Sequence, residues 1–90
     1  MVHKTYHIII KGRVHGVGFR NYVAHYALKN NHTGTVQNLP NQTVEIYWSG
    51  EESRFPAFLT HVKKGPVLSR VDELHIDEEP FEKFDRFRIL

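Results

Sequence analysis

The sequence predicts an α+β fold, a β-α-β-β-α-β sandwich in which two helices cover one face of an antiparallel sheet. Three observations carry that reading. Hydrophobic spacing alternates between a period of two and a period near 3.6 in this order along the chain. Clusters of Gly, Pro and Asn separate the periodic stretches. Ninety residues, 40% hydrophobic and 24% charged, suffice for one modest core, so residues 1–90 read as a single domain.

Residues 5–11, centred on Ile8-Ile9-Ile10, form a buried strand in this reading. After a glycine-rich loop, Phe19, Tyr22, Val23, Tyr26 and Ala27 share one helical face, and Asn21, His25 and Lys29 fall away from it. Asn30-Asn31 suits the helix end, because asparagine tolerates the left-handed conformation found there. Gly34 to Asn38 leads into a second strand, and Leu39-Pro40-Asn41-Gln42 is a turn by composition. Thr43 to Ser49 alternates, with Val44, Ile46 and Trp48 on one face, which completes an antiparallel hairpin. Gly50 opens the next segment. Ser53 is placed as the N-cap of a second helix with Pro56 in its first turn and Phe55, Phe58, Leu59 and Val62 on its apolar stripe. Lys63 and Lys64 complement its negative end, and Gly65-Pro66 stops it. A fourth strand is expected over 70–77 around Val71, Leu74 and Ile76, then an acidic turn from Asp77 to Pro80 and an extra strand-like segment from Phe84 to Leu90. Right-handed crossovers place both helices on one face, which is the ferredoxin-like arrangement.

Composition excludes several function classes. With no cysteine there is no disulfide framework, zinc–thiolate site or thiol nucleophile, and a cytoplasmic location is expected. No apolar core of signal-peptide length precedes Lys11, and no run approaches a membrane span, so no membrane partner is expected. A net charge of +2 with interspersed signs does not by itself argue for nucleic acid. Of the seven histidines, His3 and His7 share a strand face, but no helical His-x-x-x-His stands beside a partnering carboxylate. The histidines read as scattered surface residues, with no metal or other cofactor expected.

Chemistry concentrates in Gly12-Arg13-Val14-His15-Gly16-Val17-Gly18-Phe19-Arg20. Three glycines in seven residues, between a strand and a helix start, let successive N–H groups face one concavity with a partial positive charge. Arg20 adds a guanidinium fork matched to a phosphoryl group. The stretch is neither a P-loop, since Phe19 and Arg20 follow Gly18, nor a dinucleotide turn, since Asn21 stands where a third glycine is needed. His15, Gly16, Val17, Gly18, Phe19 and Arg20 are therefore the expected oxyanion site. Two roles are open to His15: a backbone donor with a free ring, or a general base near neutral pH.

These nine residues resemble the first motif of the acylphosphatases, G-R-V-Q-G-V-G-F-R, with His15 in place of glutamine. Gly34-Thr35-Val36-Gln37-Asn38 resembles the second motif: glycine, an aromatic, valine, any residue, asparagine. The resemblance spans essentially the whole chain. It implies a monomeric enzyme that hydrolyses the carboxyl–phosphate bond of small acyl phosphates, with inorganic phosphate or sulfate as a competing anion. It also implies catalytic roles for Arg20, which holds the phosphoryl group, and Asn38, which positions the attacking water. Without Arg20 upstream, Asn38 reads rather as a turn residue beside Pro40. Thr35 in place of the aromatic is expected to open one wall of the site. Asn30-Asn31-His32, in place of leucine, glycine and leucine, is expected to loosen the helix end, and Asn41-Gln42 to loosen the hairpin. Two other functions fit the topology. One is a non-catalytic domain binding an anion or a partner. The other is an RNA-binding module, disfavoured because Tyr47-Trp48 lacks the basic-glycine-aromatic motif and Glu45 adds negative charge.

Overall fold

The computed structural model describes residues 2–90. Its elements follow the expected order: β1 (His3–Arg13), α1 (Phe19–Lys29), β2 (Thr33–Asn38), β3 (Val44–Glu51), α2 (Phe55–Lys64), β4 (Arg70–Glu79) and β5 (Phe87–Ile89). The strands form one sheet in the order β4-β1-β3-β2-β5. β1 pairs antiparallel with β3 and β4, and β3 with β2. The extra segment shrinks to Phe87–Ile89 and joins β2 in parallel, so the ferredoxin-like sheet is mixed at one edge.

Period-two alternation sends Ile8 and Ile10 of β1, Val36 of β2, and Val44, Ile46 and Trp48 of β3 to the covered face, where each is fully buried. Phe19, Val23 and Ala27 of α1 and Phe55, Phe58 and Val62 of α2 close over them. Each large apolar side chain so buried contributes roughly 1.5–3 kcal/mol before chain entropy is counted. Trp48 is the hub, its ring centroid 5.0 Å from that of Phe55 and 6.2 Å from that of Phe58.

Several local expectations change. Ser53 does not cap α2. A 3-10 turn, Glu52–Arg54, leads in instead, and the Ser53 hydroxyl donates to Glu51 Oε1 at 3.0 Å. Asp77 to Glu79 is strand rather than turn, because β4 is an edge strand whose backbone pairs with Thr5, Tyr6 and His7 whatever its side chains.

The helix end and the hairpin are both firmly made. Asn31 takes the left-handed conformation, φ 58°, that glycine would supply, and His32 N–H donates to the Ala27 carbonyl at 2.8 Å. His32 is not a surface histidine: it is 5% exposed and accepts from Trp48 Nε1–H at 3.1 Å. At the hairpin Gln42 takes φ 66°, and Leu39 N–H donates to the Thr43 carbonyl at 2.9 Å.

β3 lies between β1 and β2 in the sheet. The chain leaving β1 must therefore cross the start of β3 before α1 packs over β2 and β5. That crossing carries the glycine-rich loop.

Candidate active site

The loop between Arg13 and Phe19 has no repetitive structure, and its shape comes from two left-handed glycines, Gly16 at φ 69° and Gly18 at φ 77°. A Cβ at either would meet nothing within 4 Å, so the backbone conformation and not space is what requires glycine there. Left-handed residues recurring in this way turn consecutive N–H groups toward one side. Gly18 is also the N-cap of α1, and the first intrahelical bond runs from Tyr22 N–H to the Gly18 carbonyl at 3.0 Å. The N–H groups of Phe19, Arg20 and Asn21 thus have no intrahelical acceptor, and the positive end of the helix dipole points into the same concavity.

That concavity is a cavity of about 180 Å³. Gly16, Gly18, Arg20 and Asn21 form its loop side, Asn38 enters from the end of β2, and Ile89 comes from β5. Val14 and Phe19, almost fully buried, make its base. No carboxylate lines it, and among the described residues no salt bridge engages Arg20. The structure so brings Arg20 and Asn38, remote in sequence, to one small pocket with the glycine turn.

Asn38 is the last residue of β2, paired with Val44, and the left-handed turn residue is Gln42. The turn itself is closed by Leu39 N–H donating to the Thr43 carbonyl, a bond that does not involve the Asn38 side chain. Its Oδ1 is buried without a hydrogen-bond donor from the described residues. A buried carbonyl oxygen left so costs about 1–3 kcal/mol.

His15 is placed differently from a general base. Its ring lies outside the cavity, and Nε2 sits 2.7 Å from the Thr43 carbonyl at the start of the hairpin strand. A carbonyl only accepts, so Nε2 carries the proton and donates. The side chain ties the loop to the strand it crosses. Val17 is half-buried against the core and does not line the cavity, whereas Phe19, buried within the core, lines its base. Thr35 does not wall the site either. It stands on the uncovered face of β2, opposite Tyr47 and beside Arg88.

Sequence reasoning did not single out Asn21 or Ile89. Asn21 follows from its position: third in a helix, where side chains lean back toward the N-terminus. Ile89 carries no such signal, since an apolar residue in a terminal strand reads as core.

The helix that carries Arg20 is held rigidly. Tyr22 O–H donates to the His61 carbonyl at 2.7 Å, and the His61 ring lies between Tyr22 and Tyr26 with centroids at 4.2 and 4.0 Å. Burial raises the Tyr22 phenol above its usual range, keeping it a protonated donor. Burial, with Lys64 and His25 nearby, lowers His61 and favours its neutral ring.

Among the described residues no three His, Asp or Glu side chains converge as a metal site would need. A larger cavity, of about 580 Å³, lies at the opposite pole and holds none of the expected site residues. Chemistry, not size, picks the smaller one.

The acylphosphatase family model matches residues 6–89. The acylphosphatase of Geobacillus thermodenitrificans is 42% identical over 90 residues, covering 97% of this chain and 94% of that protein. The crystal structure of acylphosphatase from Bacillus subtilis superimposes with a TM-score of 0.92 at 38% identity, over 97% of this chain and 98% of that one. Full-length HypF, in its phosphate- and nucleotide-bound crystal form, superimposes with a TM-score of 0.91 at 34% identity; the match covers 99% of this chain but 12% of that one.

Proposed function

The chain belongs to the acylphosphatase family and is an acyl phosphate hydrolase; we propose that the 15–20 loop amides and Arg20 hold the phosphoryl group while Asn38 orients the water that attacks it. The observation that supports this reading is that Asn38 and Arg20, remote in sequence, line one small pocket with the glycine turn.

The loop N–H groups, including that of His15, and the Arg20 fork together neutralise the phosphoryl oxygens without a rearrangement on binding. The Asn38 side-chain amide hydrogen-bonds a water and so aims its lone pair at phosphorus, in line with the acyl oxygen. The new P–O bond forms as the P–O bond to the acyl group breaks, and that electron pair leaves on the carboxylate. The water proton passes to a phosphoryl oxygen of the substrate itself. A carboxylate with a pKa near 4 is a stable leaving group and needs no general acid. The reaction in this scheme calls for no metal or other cofactor, since the charge work falls to Arg20 and the amides.

The same donors take inorganic phosphate or sulfate as competing anions. The reading extends to a single-domain monomer in the cytoplasm, supported by one contiguous core and the absence of cysteine. Among the described residues no helix is long and apolar enough to cross a membrane. A small-molecule substrate is favoured over RNA because Trp48 is wholly buried, while Tyr47 stacks on His7 at 4.6 Å beside the carboxylate of Glu45.

The test is hydrolysis of benzoyl phosphate with chelator present, alongside the rise in Tm that phosphate gives by mass action. Arg20→Ala should abolish both, and Arg20→Lys should restore them poorly, because an ammonium lacks the fork. A phosphate-induced shift undiminished in Arg20→Ala would move the anion site elsewhere.

A further inference from the structure

β1 runs the length of the molecule, so its two ends define two poles. Arg13 meets the catalytic loop, and His3 meets the larger cavity. Eleven residues at roughly 3.3 Å each separate the poles by about 30 Å. The far cavity, about 580 Å³, is within the roughly 300–1,000 Å³ usual for small-molecule sites.

Its walls combine what such a site needs. Phe81 and Phe84, from the segment joining β4 to β5, supply apolar surface, and the Phe81 ring is fixed edge-on against His3 at 5.7 Å. Arg54 and Lys83 bring two cations with no salt-bridge partner among the described residues. The carboxylate in the wall, Glu51, accepts from the Ser53 hydroxyl, so the permanent charges leave one positive in excess. Arg54 is held in place by a hydrogen bond to the Asn30 carbonyl.

His32 is the independent pointer to a ligand. Its Nδ1 accepts from Trp48 Nε1–H, so the neutral ring carries its proton on Nε2. That N–H has no partner among the described residues' hydrogen bonds and is not closed off from solvent; it opens on the cavity whose wall His32, 5% exposed as a residue, helps to form. Burial, with the nearby Arg54 charge, holds the His32 pKa down to about 4, so at neutral pH Nε2–H is a fixed neutral donor.

We propose that this cavity is a second binding site, for a small organic carboxylate with a flat apolar body, its carboxylate on Arg54, Lys83 and His32 Nε2–H and its body between Phe81 and Phe84. The apolar walls select against a bare inorganic anion, and the two cations select for a charged head. The site is independent of the catalytic assignment, which involves none of these residues.

The protein contains one tryptophan, whose indole N–H bonds to the very ring expected to bind the ligand. Titration of the uniformly ¹⁵N-labelled protein with benzoate should move that single indole resonance to saturation, and Arg20→Ala should leave the response intact. Lys83→Glu should weaken it about tenfold or more. Arg54→Ala is the second variant, with its folding checked by Tm because its bond to Asn30 is lost. Inorganic phosphate should shift the Gly16 and Gly18 amides without the indole, and benzyl alcohol should bind far more weakly than benzoate. An indole resonance that does not saturate with benzoate, that follows phosphate equally, or that responds undiminished in Lys83→Glu and Arg54→Ala would overturn the proposal.

Discussion

Replacing Asn38 by Ala is expected to separate catalysis from stability. The Asn38 side chain makes no hydrogen bond to the described residues, and its backbone pairing with Val44 does not depend on it. Truncation therefore removes no protein–protein hydrogen bond and relieves a buried acceptor that costs about 1–3 kcal/mol wherever water does not reach it. Lost packing of a half-buried side chain offsets part of that gain. The Tm is expected to hold or rise, and a fall of more than about 4 °C, roughly 1 kcal/mol for a domain of this size, is not expected. The rate behaves oppositely. If Asn38 aims the nucleophile as proposed, its removal should raise the barrier by about 2–4 kcal/mol, which is about 30- to 1,000-fold in kcat. Phosphate inhibition should stay near the parental value, because Arg20 and the loop amides are untouched. The assay is steady-state hydrolysis of benzoyl phosphate, with phosphate inhibition and thermal melts of the same preparations. Should kcat stay within about threefold of the parent, or should kcat, phosphate affinity and Tm fall together, Asn38 does not act on the water.

His15→Gln should keep kcat/KM within a few-fold, since an amide can also donate to the Thr43 carbonyl, whereas His15→Ala should cost about 0.5–1.5 kcal/mol of stability in chemical denaturation. For His32, held near pKa 4 in the fold against about 6.5 unfolded, the unfolded chain binds more protons between those values. Its stabilising contribution is thus complete above pH 6.5 and falls by on the order of 3 kcal/mol as pH drops toward 4, and denaturant melts of His32→Gln should lack that part of the slope. Gln42→Gly should raise Tm by a few degrees, because a non-glycine left-handed residue costs about 1–2 kcal/mol and glycine's entropy returns only part of it. Asn31→Gly should change Tm little, asparagine being tolerant of that conformation.

What the sequence makes legible is what depends on neighbours along the chain. The glycine turn, the Arg20 that follows it and the stripe from Phe19 to Ala27 are local patterns, and each appears in place. Val44, Ile46 and Trp48 face the core because a period of two leaves no other choice. What stays hidden is pairing at a distance. β5 lies parallel to β2 through a choice of edge that no periodicity in Phe84 to Leu90 records. β4 runs on through Asp77, Glu78 and Glu79 because an exposed edge strand tolerates charge on both faces. His32 reads as a surface residue until Trp48, sixteen positions on, is seen to donate to it. The Asn38 role divides the same way: its residue type is suggestive, but the choice between turn and site rests on which residue takes positive φ.

The departures from the family motifs share a physical logic. Thr35 aside, each is met by a group able to do the work of the residue it replaces, whether that work is backbone conformation, core filling or a tie to the strand. Asn31 and Gln42 take left-handed positions that glycine would take more cheaply. His32 fills a core position of leucine type, its one acceptor satisfied by Trp48 and its ring in edge contact with Phe58 at 5.3 Å. His15 keeps a side-chain donor aimed at the strand beneath the loop, as glutamine can. A nest of amides asks only that the loop hold its shape, so several side chains along this stretch can satisfy it. Arg20 and Asn38 are different in kind. Under the proposed mechanism a planar fork and a neutral oriented amide act through their own atoms, work that backbone geometry alone does not replace.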